Sequence, residues 1–395
     1  MKNIGEIIME NPTDELKKVR AYLAHMVKKG GSDLHIKAGS VFRARIQGNI
    51  QKLGKDIFTE EQADGFAKAL LGDRYDEFLE KKELDLVYPF DDKMRFRVNI
   101  FYQMNGISAV FRVIPLEIPN LESLKLPEVI NDMVEKERGI VLVTGVTGSG
   151  KSTTLAAMIN EINKTRKKHI ITIEDPIEFV HKDNECIINQ RSVGQDTLSF
   201  ANALKSALRE DPDIILVGEM RDIETINLAL HAADTGHLVF STLHTIDAKE
   251  TINRIISTFP TGEQNRVRLS LASSIQGIIS QRLVKTVDGK RRAAMEVLVR
   301  TSTIEKLIME NRDSEIKDAI ENGKSIYKSQ SFDQSLYDLF SDGIISEDTA
   351  LENATSPSDM KLRMEGLSSG AAGESDSIEN IPKIDENDDD IFDLK

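Results

Sequence analysis

GVTGSGKST, residues 145–153, decides the fold, because it fits the spacing G-x-x-x-x-G-K-[ST] with Gly145, Gly150, Lys151 and Ser152 at the defining positions. Glycines in this pattern let backbone N–H groups curl around phosphate oxygens. The lysine reaches the β and γ phosphates, and the serine hydroxyl ligates Mg²⁺. Thr147, Gly148, Ser149 and Thr153 complete the candidate cradle. Average residue frequencies give such a match by accident roughly once in a hundred chains of this length. The apolar run GIVLV precedes it and the helix-prone STTLAAMINEIN follows, so a strand, a loop and a helix succeed one another as a nucleotide-binding parallel sheet requires. The ligands expected are ATP and Mg²⁺.

Further runs of the same kind lie outward from this loop. GIVLV, HIITI, IILV and LVFST are short, nearly all apolar, and each reaches a polar or glycine-containing loop. Runs apolar on both faces belong to parallel strands covered by helices on both sides. Candidate chemistry follows three of them. Glu174 and Glu178 lie in IEDPIE after HIITI, Glu219 in IILVGEMRD after IILV, and His244 in TLHT after LVFST. Singly, the carboxylates could be helix caps and the histidine a turn residue. Together they sit at the carboxyl ends of predicted parallel strands, on the sheet edge that carries the phosphate loop. One oddity stands out: P-loop NTPases normally end the IILV-type strand in Asp, and here Gly218 holds that place with Glu219 after it.

The first 115 residues read differently. Leu16, Val19, Leu23 and Met26 have helical spacing, and Gly30 and Gly31 stop that helix. SDLHIKAG, FRARIQGNI, LDLVYPF, MRFRVNIFYQ and GISAVFRVIP then alternate apolar with polar residues, as antiparallel strands do, with a helical stretch at Thr59–Lys81. The expected organisation is therefore an α+β domain over 1–115 and a connector over 116–128, in a stretch punctuated by Pro115, Pro119 and Pro127. An α/β ATPase domain follows over 129–365, with a helical region from about Ile304 to Met364, and then an acidic tail over 366–395.

With 395 residues, 40% of them hydrophobic, the chain can bury two or three cores. The net charge of −14 argues against a nucleic-acid scaffold, which needs surplus Lys and Arg. Half of that charge falls between Ala371 and Lys395, where nine acidic residues face two lysines. That composition predicts disorder. Cys186 is the one cysteine, no leader pattern opens the chain, and no apolar run approaches 18 residues, so a cytoplasmic location is expected, with any membrane contact made through partners.

GVTGSGKST, ITIEDPIEFVH, ALREDPDIILVGEMRD and TGHLVFSTLHT resemble the Walker A, Asp-box, Walker B and His-box motifs of the secretion ATPases, in particular the type IV pilus retraction ATPases of the PilT/PilU family. The likeness runs from about Leu23 to about Met364. The Walker B element of that family ends in Gly-Glu, so Glu219 matches its catalytic glutamate. The resemblance implies a homohexameric ring of subunits with a PAS-like N-terminal domain and a RecA-like C-terminal domain. It also implies ATP bound between the domains, an inner-membrane pilus platform protein and a paralogous retraction ATPase as partners, and a place at the inner face of the plasma membrane. Arg97 and Arg112, with Arg95 as a third, match the N-terminal arginines that complete the site; Arg191, Arg209 and Arg221 lie beside the motifs. Implied roles are Lys151 and Ser152 for triphosphate and Mg²⁺ and Glu219 for orienting or deprotonating the attacking water, Glu219 itself linked to Mg²⁺ through water. Glu174 and Glu178 would hold metal-bound waters or tune that base, and His244 would report the γ-phosphate to the moving parts.

Thr303–Glu310 reads TIEKLIME where retraction ATPases carry an AIRNLIRE-like element, which leans towards the accessory PilU type. A pilus assembly or type II secretion ATPase shares the motor but usually adds a four-cysteine zinc element, which one cysteine cannot build. A nucleic-acid translocase would need a basic channel, and a ring that binds ATP without hydrolysing it would share every motif.

Overall fold

The computed structural model describes residues 13–366 apart from 47, 92–93, 105 and 116–117. The acidic tail expected over 366–395 lies, from residue 367 onward, outside the described residues.

Among the described residues the first element is α1 (Asp14–Lys28), which Thr13 caps by accepting a hydrogen bond from the Leu16 N–H, and which buries Leu16, Val19, Leu23 and Met26. Strands β1 (Gly31–Lys37), β2 (Ser40–Ile46), β3 (Asn49–Phe58), β4 (Glu83–Asp91), β5 (Met94–Gln103) and β6 (Gly106–Pro115) form a sheet in the order β3-β2-β1-β6-β5-β4. All five neighbouring pairs in it are antiparallel. Helices α2 (Glu60–Leu71) and α3 (Tyr75–Lys81) occupy the predicted helical stretch. Alternation turns Phe96, Val98 and Ile100 of β5 into a core shared with Phe66 of α2, and leaves Arg95 and Arg97 on the other face.

The C-terminal part contains α4 (Val129–Val134), β7 (Gly139–Thr144), α5 (Lys151–Thr165), β8 (His169–Glu174), β9 (Ile187–Ser192), α6 (Phe200–Ala207), β10 (Ile214–Val217), α7 (Ile223–Asp234), β11 (Leu238–Leu243), α8 (Ala248–Ser257), α9 (Thr261–Ser274), β12 (Ile275–Lys285) and β13 (Arg291–Val299). Its sheet runs β13-β12-β7-β11-β10-β8-β9, parallel except for the β12–β13 pair. Alternate residues of one strand serve opposite layers. Ile140, Leu142, Ile215 and Val217 pack on one side, and Val141, Val143, Ile214 and Leu216 on the other. Burial on both faces explains why polar positions are few in these runs.

The helices α10 (Ser302–Met309), α11 (Ile316–Asn322), α12 (Lys324–Tyr327), α13 (Phe332–Ser341), α14 (Glu347–Asn353) and α15 (Pro357–Met364) follow. They dock partly through a small core of their own, in which Leu336, Leu339, Ile345 and Ala350 pack with Val284 and Ala294 of the β12–β13 hairpin. Three strands were not foreseen among the four apolar runs: β9, which is half exposed, and the β12–β13 hairpin, whose polar residues Ser280, Gln281 and Glu296 are buried in place of apolar ones.

Candidate nucleotide site

The order β7-β11-β10-β8 sets side by side, at one sheet edge, the phosphate loop, the segment with His244, the segment with Glu219, and the strand end at Glu174. No two of these are neighbours in sequence; strand pairing assembles them.

Gly145, Gly148 and Gly150 have φ of 142°, 80° and 94°, a region unfavourable to side chains. A Cβ at Gly145 would stand 2.4 Å from the Gln281 carbonyl oxygen, whereas one at Gly148 would meet nothing within 4 Å. The loop is thus packed tightly from beneath and open above, where a phosphate chain would lie. Gln281 of β12 supports it, donating to the Ser149 carbonyl (2.6 Å) and accepting from the Thr154 hydroxyl (2.9 Å). The Lys151 ammonium donates to the carbonyls of Gly145 (2.8 Å) and Val146 (3.2 Å). Burial holds its pKa below the ordinary lysine value, against the pull of Glu219 and Glu178.

Glu219 follows the close passage of Gly218, whose N–H donates to the Ile173 carbonyl (2.7 Å). A Cβ at Gly218 would lie 3.1 Å from that carbonyl oxygen and 3.3 Å from Glu174 Cα, so the strand end is glycine because two backbones meet there. Thr242 fixes the turn from the neighbouring strand, its hydroxyl donating to the Gly218 carbonyl (2.7 Å). The Glu219 carboxylate accepts from Arg221 and has His244 Nε2 at 3.4 Å. Burial, with Lys151 and Arg221 nearby, lowers the His244 pKa despite Glu219, which favours a neutral imidazole. Glu174 is held by the Thr172 hydroxyl (2.6 Å) and more loosely by Gln190 (3.3 Å), and burial raises its pKa in spite of them.

These groups open onto a cleft of about 600 Å³ whose other wall comes from the N-terminal sheet. Lys151, Ser152, Thr153, Thr147, Gly148, Gly150, Glu174, Glu178, Glu219 and His244 line it, together with Arg97 and Arg112. Gly145 and Ser149 are not in the lining; Ser149 is buried within the loop. Arg95 is also absent from the lining, and Arg191 pairs with Glu210 (3.2 Å). Arg97 and Arg112 are directly opposite each other on β5 and β6. Like charges in that position repel unless an anion lies between them. Arg112 is aimed by Asp33, which is 3% exposed and accepts from its Nε at 2.7 Å. Burial works to raise the Asp33 pKa, but the hydrogen bonds from Arg112 and Ser32 leave it below the usual carboxylate range.

The residues fit Mg²⁺–ATP. The loop has an open glycine face, two guanidiniums face the cleft, and no cluster of three or more His, Cys, Asp or Glu able to cage a metal occurs among the described residues. That donor set suits an ion held by one hydroxyl, phosphate oxygens and water. Sequence reasoning did not find Gln281, Gln190, Asp33, His181 or Arg291. The last two also line the cleft, His181 with its pKa pushed down to about 4 by burial. Gln281, Gln190, Asp33 and Arg291 lie outside the four motifs, and His181 closes ITIEDPIEFVH without standing at a strand end, so pattern alone marks none of them.

Residues 15–343 match the family model described as type II/IV secretion system protein. The chain belongs to that family. It is 47% identical over 339 residues to the type IV pilus retraction ATPase PilT of Pseudomonas aeruginosa, covering 85% of this chain and 97% of the relative. To the type IV pilus ATPase PilU of the same organism it is 40% identical over 358 residues, covering 90% and 93%. A crystal structure of the pilus retraction motor PilT with bound ADP superposes with a TM-score of 0.81 at 42% identity, covering 87% of this chain and 98% of that one.

Proposed function

We propose that this member of the secretion family is an ATP-hydrolysing motor of the PilT/PilU type that drives type IV pilus retraction. The observation that carries the reading is the cleft itself, where a phosphate loop, a carboxylate after a close glycine turn, a histidine beside it and two opposed arginines from another domain face one volume. Lys151 neutralises phosphate charge and Ser152 supplies a hydroxyl to Mg²⁺, which when bound withdraws charge from the β and γ oxygens. Glu219 orients the attacking water and accepts its proton, and Arg221 and His244 hold that carboxylate in place. Glu174 and Glu178 add polar wall beside it. Arg97 and Arg112 stabilise charge that develops on the equatorial oxygens. His244, neutral and 3.4 Å from Glu219, registers the γ-phosphate and passes its loss to the segment that follows.

The expected assembly is a homohexamer at the inner face of the plasma membrane, against a pilus platform protein. The higher identity to PilT than to PilU favours the primary retraction role over the accessory one, TIEKLIME notwithstanding. Deletion in the native host tests it. Cells should lose twitching and accumulate surface pili; bald cells would mean an assembly motor instead.

A further inference from the structure

Glu296 carries no part of the chemistry above, yet it is a buried carboxylate in the middle of β13, 6% exposed. Its Oε1 accepts a hydrogen bond from the N–H of Ala248 at 2.8 Å. Ala248 is the first residue of α8, four positions beyond His244. The loop between them is tied at every step. Ile246 N–H donates to Glu250 (2.9 Å), Thr245 and Thr251 share a hydrogen bond (2.6 Å), and the Asp247 side chain caps the helix by accepting from the Glu250 N–H (2.7 Å). All those ties are internal to the loop and its own helix. The bond to Glu296 alone among these anchors it to another element, and an anchor to the sheet is what turns a local turn into a positioned one.

The strand that supplies the anchor is also where the C-terminal helices dock. Met295 N–H donates to the Ser335 hydroxyl of α13 (3.1 Å), the Gln330 side chain donates to the Met295 carbonyl (2.9 Å), and Val297 and Gln330 exchange backbone hydrogen bonds. Glu296 therefore lies between the loop that carries His244 and the contacts of the helical region. The charges facing its carboxylate are Asp247 from the cap of α8, Arg282 from β12 and Lys317 from α11, one like charge and two opposite ones.

We propose that Glu296 is a positioning residue for hydrolysis: its carboxylate fixes the start of α8, holds His244 against Glu219, and links that loop to the strand on which the C-terminal helices dock. The inference rests on the reading of His244 as the γ-phosphate sensor. A group that acts only by placing another should change kcat and leave ATP binding alone, and its effect should vanish once the group it places is gone.

The test is a cycle on the full-length protein. Glu296→Ala should lower kcat for ATP hydrolysis about 10-fold with KM for ATP unchanged. Glu296→Gln, which keeps an acceptor of the same length, should restore kcat to within about twofold, as a hydrogen-bonding role requires. In a His244→Ala background, Glu296→Ala should cost less than about twofold more. Equal costs in both backgrounds, or a parallel rise in KM, would overturn the proposal and make Glu296 a general structural element. Should the alanine variant fail to fold, Glu296→Asp, one methylene too short for the bond, carries the same expectations. The sensor reading is judged separately by His244→Ala alone: unchanged kcat there removes the sensor, and a loss of kcat in Glu296→Ala beside it then shows that Glu296 acts by another route, which also overturns the proposal.

Discussion

At Gly218 and Glu219, two adjacent residues divide structure from chemistry. Gly218 is required by the 3.1 Å approach of its missing Cβ to the Ile173 carbonyl oxygen, and both obstructing atoms are backbone, so neither can swing away. Gly218→Ala should therefore destabilise by about 1–3 kcal/mol through overpacking, read as a lower urea midpoint. An unchanged midpoint would mean that the strand end is looser than these distances indicate. Glu219→Gln keeps size and most hydrogen bonding but removes the proposed proton acceptor. ATP should bind as before while hydrolysis falls by roughly 10²–10⁴-fold, measured as nucleotide affinity and single-turnover rate on one sample. Lys151→Ala inverts that pattern: with the ammonium gone, phosphate charge is uncompensated and affinity itself should collapse.

Between elements, the decisive contacts are polar groups buried where strand meets strand or helix. Glu296 is one, and burial lifts its pKa to about 7. The sign follows from linkage. A carboxyl whose folded pKa lies above its unfolded value of 4.5 favours the fold fully below pH 4.5, and that advantage is lost as pH rises towards about 7. Glu296→Gln cannot ionise, so it should gain on the wild type as pH is raised from 5 to 8, by up to about 3 kcal/mol. Urea melts of both proteins at the two values check this, and parallel pH dependences would show that Glu296 does not titrate in this window. Asp33 is a second such group. By accepting from Arg112 across β1 and β6 it turns a largely exposed guanidinium into a directed one. Asp33→Asn should lower kcat about 10-fold while the N-terminal sheet stays folded, because a neutral amide binds the guanidinium more weakly than a carboxylate.

For the whole molecule, the cleft between the two sheets is the proposed working unit. Its arginines come from the antiparallel sheet and its phosphate loop from the sheet of mainly parallel strands, so under the proposed mechanism any separation of the two sheets would part the charges that act together. Arg112→Ala should cost on the order of 10³-fold in kcat, the scale of an arginine supplied to a phosphoryl-transfer site. If subunits form a ring with coupled sites, doping wild type with Glu219→Gln protein should depress ATPase rate faster than the mutant fraction rises. A straight line would exclude coupling and leave the motor chemistry standing.

By itself, the sequence determined the parts whose meaning is local. GVTGSGKST is a contiguous backbone device, and the apolar runs GIVLV, HIITI, IILV and LVFST announce buried parallel strands because both faces must be dry. Glu174, Glu178, Glu219 and His244 could be placed on one edge for the same reason, since strand polarity alone sends their carboxyl ends the same way. Only the tertiary structure decided which strands are neighbours, and with that the partners that aim these groups. Gln281 supports the loop from 132 residues away at Ser149, Asp33 aims Arg112 across 79, and Glu296 reaches Ala248 across 48. Hairpin β12–β13 escaped the pattern because its buried polar residues break the apolar run that marks a core strand. Those residues are buried to satisfy polar groups of other elements, the Thr144 and Thr154 hydroxyls, the Ser149 carbonyl and the Ala248 N–H, and a need that arises across space leaves no period in the chain.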